Sequence, residues 1–218
     1  MPPNKPPLLT GITGNIGSGK SLVSSYIEAQ GYKLISADQI AKAQLDDADL
    51  QVHLAEIWGA ELISHGKIDR KALADLVFSN PEKLIYLNSL IHPRVLEVFD
   101  KIVYESTDLK LFFEIPLLFE AGLQTCFDAI ILVCAPLELR IEWLVQRDGS
   151  SKEQILARLK AQMPDADKVD KVDYVLHNNG SARELKTKTL RLLDELQSLA
   201  PRDKNSFVEA GKAFAHTM

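Results

Sequence analysis

Cysteine is scarce in this chain. Only Cys126 and Cys134 occur in 218 residues, and Cys134 lies inside the apolar run 127–135. That pattern excludes a disulfide framework and suits a reducing compartment, so a cytoplasmic location is expected. Long apolar runs are missing as well: no segment approaches the roughly 20 residues that a bilayer-spanning helix needs. The opening MPPNKPPLL has no apolar h-region, so neither export nor a membrane partner is expected. There is no excess of positive charge either. Lys and Arg total 25 against 30 Asp and Glu, a formal net charge of −5. This gives no electrostatic reason to expect nucleic acid as a partner, although a local basic patch can still bind phosphate. What remains, 46% hydrophobic and 25% charged, is the composition of an ordinary globular chain. The length suits one α/β domain with an inserted or appended smaller lobe, and small-molecule partners are expected. The sequence leaves the oligomeric state unknown.

Five short apolar runs read as strands: 8–14, 32–38, 109–115, 127–135 and 172–178. They are apolar on both parities and alternate with helical patterns, which predicts a parallel sheet covered on both faces. The first helix, 20–31, carries Leu22, Val23, Tyr26 and Ile27 on one face and stops at Gly31. About seventy residues separate the second strand from the third, with helical pattern and no convincing strand. That is too many for a simple crossover, so a helical lobe is expected there. Two further helices follow. The first, 137–149, sets Ile141, Leu144 and Val145 on an apolar side and Arg140, Trp143 and Arg147 on another. The second, 150–163, opens with Ser150 and Glu153 in capping-box spacing. Ser181 and Glu184 open a last helix, 182–199, in the same way. Beyond Ala200 the periodicity is weak, and a loose tail is expected.

The densest signal is TGNIGSGKS, residues 13–21. Gly14-Asn15-Ile16-Gly17-Ser18-Gly19-Lys20-Ser21 fits G-x-x-x-x-G-K-[ST], the phosphate-binding loop, and it falls between a strand and a helix as that motif requires. Glycines let successive N–H groups converge on phosphate oxygens where side chains would obstruct. The helix that follows adds the positive end of its dipole, Lys20 can bridge β- and γ-phosphates, and Ser21 can hold Mg²⁺. At the carboxyl edge of the second strand stands Asp38, in SADQIAK. Ligands of open α/β sheets bind outside that edge. An aspartate there can take a proton from an attacking hydroxyl, or can equally serve as N-cap of a helix beginning at Gln39.

In this order, LTGITGNIGSGKS, SADQIAK, IDRKALADLVFSNPEKLIYLNSLIHP, EIPLLFEAGL, QRDGSSKEQILARLKAQ and VDYVLHNNG make the chain resemble the dephospho-coenzyme A kinases over residues 8–199. The resemblance implies a P-loop NTPase-like α/β fold with a five-stranded parallel sheet (8–38, 109–136, 170–200), a helical substrate lobe (39–108) and a helical lid (137–165), then a tail (201–218). It implies ATP-dependent phosphorylation of the ribose 3′-hydroxyl of dephospho-coenzyme A, with ATP and Mg²⁺. On this match Gly14 to Ser21 bind ATP, Leu22 offers its N–H to the α-phosphate, and Asp38 is the base. Arg147 matches the lid arginine that neutralises charge on the transferring group; the alternative is a surface ion pair with Asp148 or Glu153. Arg158 and Gln162 match the second lid helix. His92 belongs to a signature of the helical lobe, where it contacts substrate or is a buried structural histidine. Glu114 and Glu120 reach Mg²⁺ through water, or Glu120 caps a turn.

Several positions depart from the family pattern: Asn15 where glycine is usual, Ser36 where a carboxylate is, Lys42 for arginine, Glu114 for aspartate, His177 for aspartate, and Trp143 where the lid often carries arginine. Lys42 keeps the charge but loses the bidentate fork. Two rivals follow from the loop alone: another small-molecule kinase acting on a nucleoside or sugar, and a nucleotide-gated binding protein, for which the guanine signature Asn-Lys-x-Asp is missing.

Overall fold

The computed structural model describes residues 6–215. In chain order it comprises β1 (Leu8–Thr13), α1 (Lys20–Glu28), β2 (Lys33–Ser36), α2 (Ala37–Gln44), α3 (Ala48–Trp58), β3 (Ile63–Ser64), β4 (Lys67–Ile68), α4 (Arg70–Phe78) and α5 (Pro81–Glu105). There follow β5 (Lys110–Glu114), β6 (Ala129–Cys134), α6 (Leu137–Asp148), α7 (Lys152–Lys160), α8 (Asp165–Val169), β7 (Tyr174–His177), α9 (Ala182–Glu195) and α10 (Phe207–Ala215). Two compact units result, one formed by the chain up to Ser36 together with the chain from Ile102 onward, the other by Ala37–Lys101. None of the described helices is long and apolar enough to cross a membrane.

In the first unit the five expected strands form one sheet in the order β2-β5-β1-β6-β7. Every pairing is parallel, with Ile12 opposite Glu114 and Ile131. The alternating parities explain why each run is apolar throughout. Ile12, Phe112, Ile131 and Val133 pack on one face against Val23 and Ile27 of α1 and Leu185, Leu192 and Leu193 of α9. A carbon added at Gly11 would meet Leu118 and Phe127, so the other face has its own cover.

Part of that cover comes from the segment expected to be a loose tail. Residues 207–215 are α10, and Phe207 is fully buried, its ring centroid 5.1 Å from that of Phe113 and 5.4 Å from that of Phe127. Ahead of it, buried Asp128 accepts from Leu9 N, Arg202 N and Lys204 Nζ. Sequence periodicity misses this segment because its buried apolar residues are few, Phe207 and Ala210 among those described, and the Asp128–Lys204 ion pair ahead of them is made to a distant residue. Residues 216–218 of the expected tail lie outside the described residues.

Other boundaries also move. The capping box of α7 is formed by Ser151 and Gln154, one residue later than Ser150 and Glu153. That of α9 is Ser181 and Glu184 as expected, but the helix ends at Glu195 in a short 3₁₀ turn. Helix α1 ends at Glu28 with Ala29 as its C-cap, short of the expected Gly31, which lies in the following turn with φ of +83°.

The second unit is helical except for the hairpin β3–β4, which the helical pattern of this region hides. His65 and Gly66, both at positive φ, make its two-residue turn. Helix α5 contains Pro93 in its interior. Its buried residues Leu87, Ile91, Val95 and Phe99 recur at spacings of four.

Candidate active site

The phosphate loop leaves β1 at Thr13 and enters α1 at Lys20. Its shape is dictated by glycine at two points. Gly14 has φ of +145°, and a side chain there would collide with the carbonyl of Val133; Gly19 has φ of +97°, and a side chain would collide with the Asn178 amide. Both positions favour glycine for conformation and for space. Gly19 caps α1, whose own first turn holds no acidic residue; the carboxylate nearest this end of the helix is that of Glu114, at the end of β5.

Lys20 is largely buried, and its ammonium donates to the carbonyls of Gly14 at 2.6 Å and Asn15 at 3.2 Å. Ser21 Oγ donates to Glu114 Oε1 at 3.1 Å, and Ser24 Oγ to Glu114 Oε2 at 2.7 Å. Ser18 N donates to Asn15 O, and Leu22 N, expected to reach an α-phosphate, donates to Gly19 O in the first turn of α1. Ile16 N donates to Gln162 Oε1 at 2.8 Å, and Ser18 O accepts from Asn178 Nδ2 at 3.0 Å.

The residues expected to form a lid divide. Arg140, expected on a polar side of α6, is buried: its Nε donates to Ile16 O at 3.0 Å and its Nη1 pairs with Asp165 at 3.1 Å. Burial without a full set of partners holds its pKa below the ordinary value. Arg147 is exposed at the end of α6 and grips Asp148 with two hydrogen bonds of 2.7 and 2.8 Å. This is the ion pair weighed as its alternative role. The pairing raises the Arg147 pKa and lowers that of Asp148. Arg158 is exposed on α7, and Trp143 is half-buried on α6. Glu120 does not face an open metal position through Oε1. That oxygen accepts from Met163 N at 2.8 Å and pairs with fully buried Lys168 at 3.1 Å. Beside this cluster a cavity of about 330 Å³, lined by Cys134, Pro136, Asp165, Val169 and His177 among others, opens past the carboxyl ends of β6 and β7.

In the helical unit, Asp38 is exposed in the first turn of α2, which starts at Ala37. It therefore is not the N-cap of a helix beginning at Gln39; it lies inside the first turn, where a carboxylate is favoured by the dipole. Only Ala37 separates it from Ser36, the last residue of β2. Lys42 is exposed on the last turn of α2, and its carbonyl accepts from Arg70 Nη2 at 3.3 Å. His92 is exposed on α5 and is not a buried structural histidine. Neighbouring protein still lowers its pKa by desolvation.

Buried Lys168 and the inward turn of Arg140 escaped sequence analysis. The one available signal was Asn15, a polar side chain where the loop usually has none, which needs partners of its own.

A family model described as dephospho-CoA kinase matches residues 8–184. The dephospho-CoA kinase of Fusobacterium nucleatum is 34% identical over 190 residues, covering 87% of this chain and 98% of its own length. Among solved structures, TT1252 from Thermus thermophilus superimposes with a TM-score of 0.75 at 39% identity, covering 88% of this chain and 99% of that one. The shikimate kinase of Acinetobacter baumannii, at 15% identity and a TM-score of 0.52 over 90% of this chain and 97% of its own, shares the fold.

Proposed function

Because the chain belongs to the dephospho-CoA kinase family, we propose that it transfers the γ-phosphoryl of ATP to the ribose 3′-hydroxyl of dephospho-coenzyme A, the last step of coenzyme A synthesis. The carrying observation is the phosphate loop: glycines forced by close backbone approach, a lysine held by the loop's own carbonyls, and the N-terminus of α1 directly after it. The loop Gly14 to Ser21 cradles the phosphates with backbone N–H groups other than those of Ile16 and Ser18, which Gln162 and Asn15 already take. Lys20 exchanges its carbonyl partners for phosphate oxygens and offsets the charge that spreads over the γ-phosphoryl in the transition state. Asp38 accepts the proton of the 3′-hydroxyl, a role supported by its match to the family motif and by its attachment to the carboxyl edge of β2. Arg147, released from Asp148, brings a planar fork suited to two phosphate oxygens. Lys42, His92 and Arg158 are assigned to substrate binding.

The donor set around Ser21 fits Mg²⁺. A hydroxyl and the Glu114 carboxylate are hard oxygen ligands 3.1 Å apart. Among the described residues no group of three or more His, Cys, Asp or Glu side chains could hold a metal ion, which agrees with an ion held largely by phosphates and water. Ser21 would ligate it, with Glu114 behind through water, and the ion held there would supply neutralisation of β- and γ-phosphate charge. A reducing, cytoplasmic setting suits both substrates and the two free cysteines among the described residues.

Mass detection of coenzyme A formed from dephospho-coenzyme A and MgATP tests the assignment, beside shikimate, gluconate and a nucleoside as competing acceptors. Transfer to one of those acceptors instead would overturn it. Lys20→Ala, folded by circular dichroism, should lose transfer, by roughly 10³-fold or more as expected for a preorganised charge.

A further inference from the structure

Asn15 has both ends of its side-chain amide committed. Its Nδ2 donates to Met163 O at 3.1 Å, and its Oδ1 accepts from Lys168 Nζ at 2.9 Å. Its backbone carbonyl in turn accepts from Ser18 N at 3.1 Å and from Lys20 Nζ at 3.2 Å. Asn15 is thus the link between two lysines, one inside the phosphate loop and one on α8. Lys168 is fully buried, and its charge is matched by Glu120, whose Oε1 also accepts from Met163 N. A buried ion pair is weak grounds for expecting stability, since an apolar pair of similar volume usually does as well or better. What these contacts do hold is position: the segment 163–168 is tied to Asn15 at two points, Met163 and Lys168, and to Glu120 at the same two residues.

We propose that Lys168 is a positioning residue for the phosphate loop. Acting with Glu120 and through Asn15, it sets where the Lys20 ammonium rests and so how the loop receives the nucleotide phosphates. The inference rests on the proposed ATP-binding role of the loop and goes beyond it by assigning the loop's shape to a lysine that touches neither phosphate nor acceptor. Because Asn15 replaces the glycine usual at its position, the Lys168 contact to its Oδ1 is made to a side chain that glycine lacks.

The test is MgADP affinity by calorimetry, with steady-state kinetics on both substrates. The variants are Asn15→Ala, Lys168→Met, their combination, and Lys168→Met/Glu120→Gln, which avoids leaving an unpaired buried carboxylate. In folded Asn15→Ala and in Lys168→Met/Glu120→Gln, MgADP affinity and the KM for ATP should each worsen about tenfold, the scale of one lost charge-assisted hydrogen bond. The KM for dephospho-coenzyme A should stay within about twofold, since the contact acts on the loop alone. Asn15→Ala/Lys168→Met should bind no worse than its weaker parent, because both changes break the same Lys168–Asn15 contact. MgADP affinity within twofold of wild type in folded Lys168→Met/Glu120→Gln, or losses in Asn15→Ala and Lys168→Met that multiply, would overturn the proposal. A wild-type chain that binds no MgADP would overturn the phosphate-loop assignment itself, a result the variants cannot mimic.

Discussion

Substituting Phe207 by alanine should cost this chain more stability than its position eight residues before the last described residue suggests. The ring is 1% exposed and lies in edge-on contact with Phe127 and tilted contact with Phe113. Phe→Ala changes in well-packed cores cost about 3–5 kcal/mol, the aromatic contacts included. A chain of this size unfolds in urea with a slope of about 2–3 kcal/mol per molar. The midpoint should therefore fall by about 1–2 M, measured by circular dichroism and tryptophan emission together to check two-state behaviour. Phe207 covers the sheet face opposite α1, so turnover per folded molecule should change by less than about twofold, as for sites without shared partners. A midpoint moved by less than about 0.3 M, well short of that range, would mean that α10 is not docked on the sheet and that the Phe113–Phe127–Phe207 cluster contributes nothing.

Two further outcomes can be read from single measurements. Asp38→Asn should keep MgADP affinity and lose about 10²- to 10⁴-fold in turnover if Asp38 is the base; since Asp38 is exposed in a first turn and caps nothing, the accompanying stability loss should not exceed about 1 kcal/mol, and unchanged turnover would remove it from the chemistry. Cys134 is pushed up to about 11, first by burial and then by the Asp165 charge. At pH 8 roughly one thiol in a thousand is then ionised, so iodoacetamide should label the native chain far more slowly than the urea-unfolded chain, and labelling at equal rates would show the thiol to be unshielded. The sign follows for stability: a thiol whose folded pKa is raised loses its contribution as pH climbs from the unfolded value of about 9 to 11.

The fold was legible where local pattern and burial agree. All five strands showed as apolar runs because both sheet faces are covered, and the phosphate loop showed because glycine is demanded by backbone approach at Gly14 and Gly19. Misreadings arose where a distant partner decides. Arg140 shares a helical stripe with exposed Arg147, yet is buried because the Ile16 carbonyl, 124 positions away, needs a donor. Lys168 sits in DADKV, a stretch that looks solvated, and is buried because Asn15, 153 positions away, and Glu120 await it. Ser150 and Ser151 are chemically equal candidates for a cap, and only the chain path out of α6, turning at Gly149 with φ of +64°, chooses between them. Asp38 stays open for a related reason: its role depends on an acceptor substrate that no local pattern encodes.

The buried charges around the loop also show what kind of work they do. Lys168 is matched by Glu120 and Arg140 by Asp165, each pair at 3.1 Å. The four together add no net charge, so they cannot be the source of attraction for a polyphosphate; in the proposed function that falls to Lys20 and to the N-terminus of α1. What the two pairs supply is direction. Arg140 holds the carbonyl of Ile16, Lys168 holds the amide of Asn15, and Gln162 from the same lid segment takes the N–H of Ile16. The two peptide groups that flank Ile16 and the Asn15 side chain are thereby fixed by partners from outside the loop. Lys168→Met/Glu120→Gln removes one cation and one anion and leaves the net charge at the site as it was. A loss of MgADP affinity in that variant is therefore a loss of geometry, and it should persist at high salt, where a loss of attraction would be screened away.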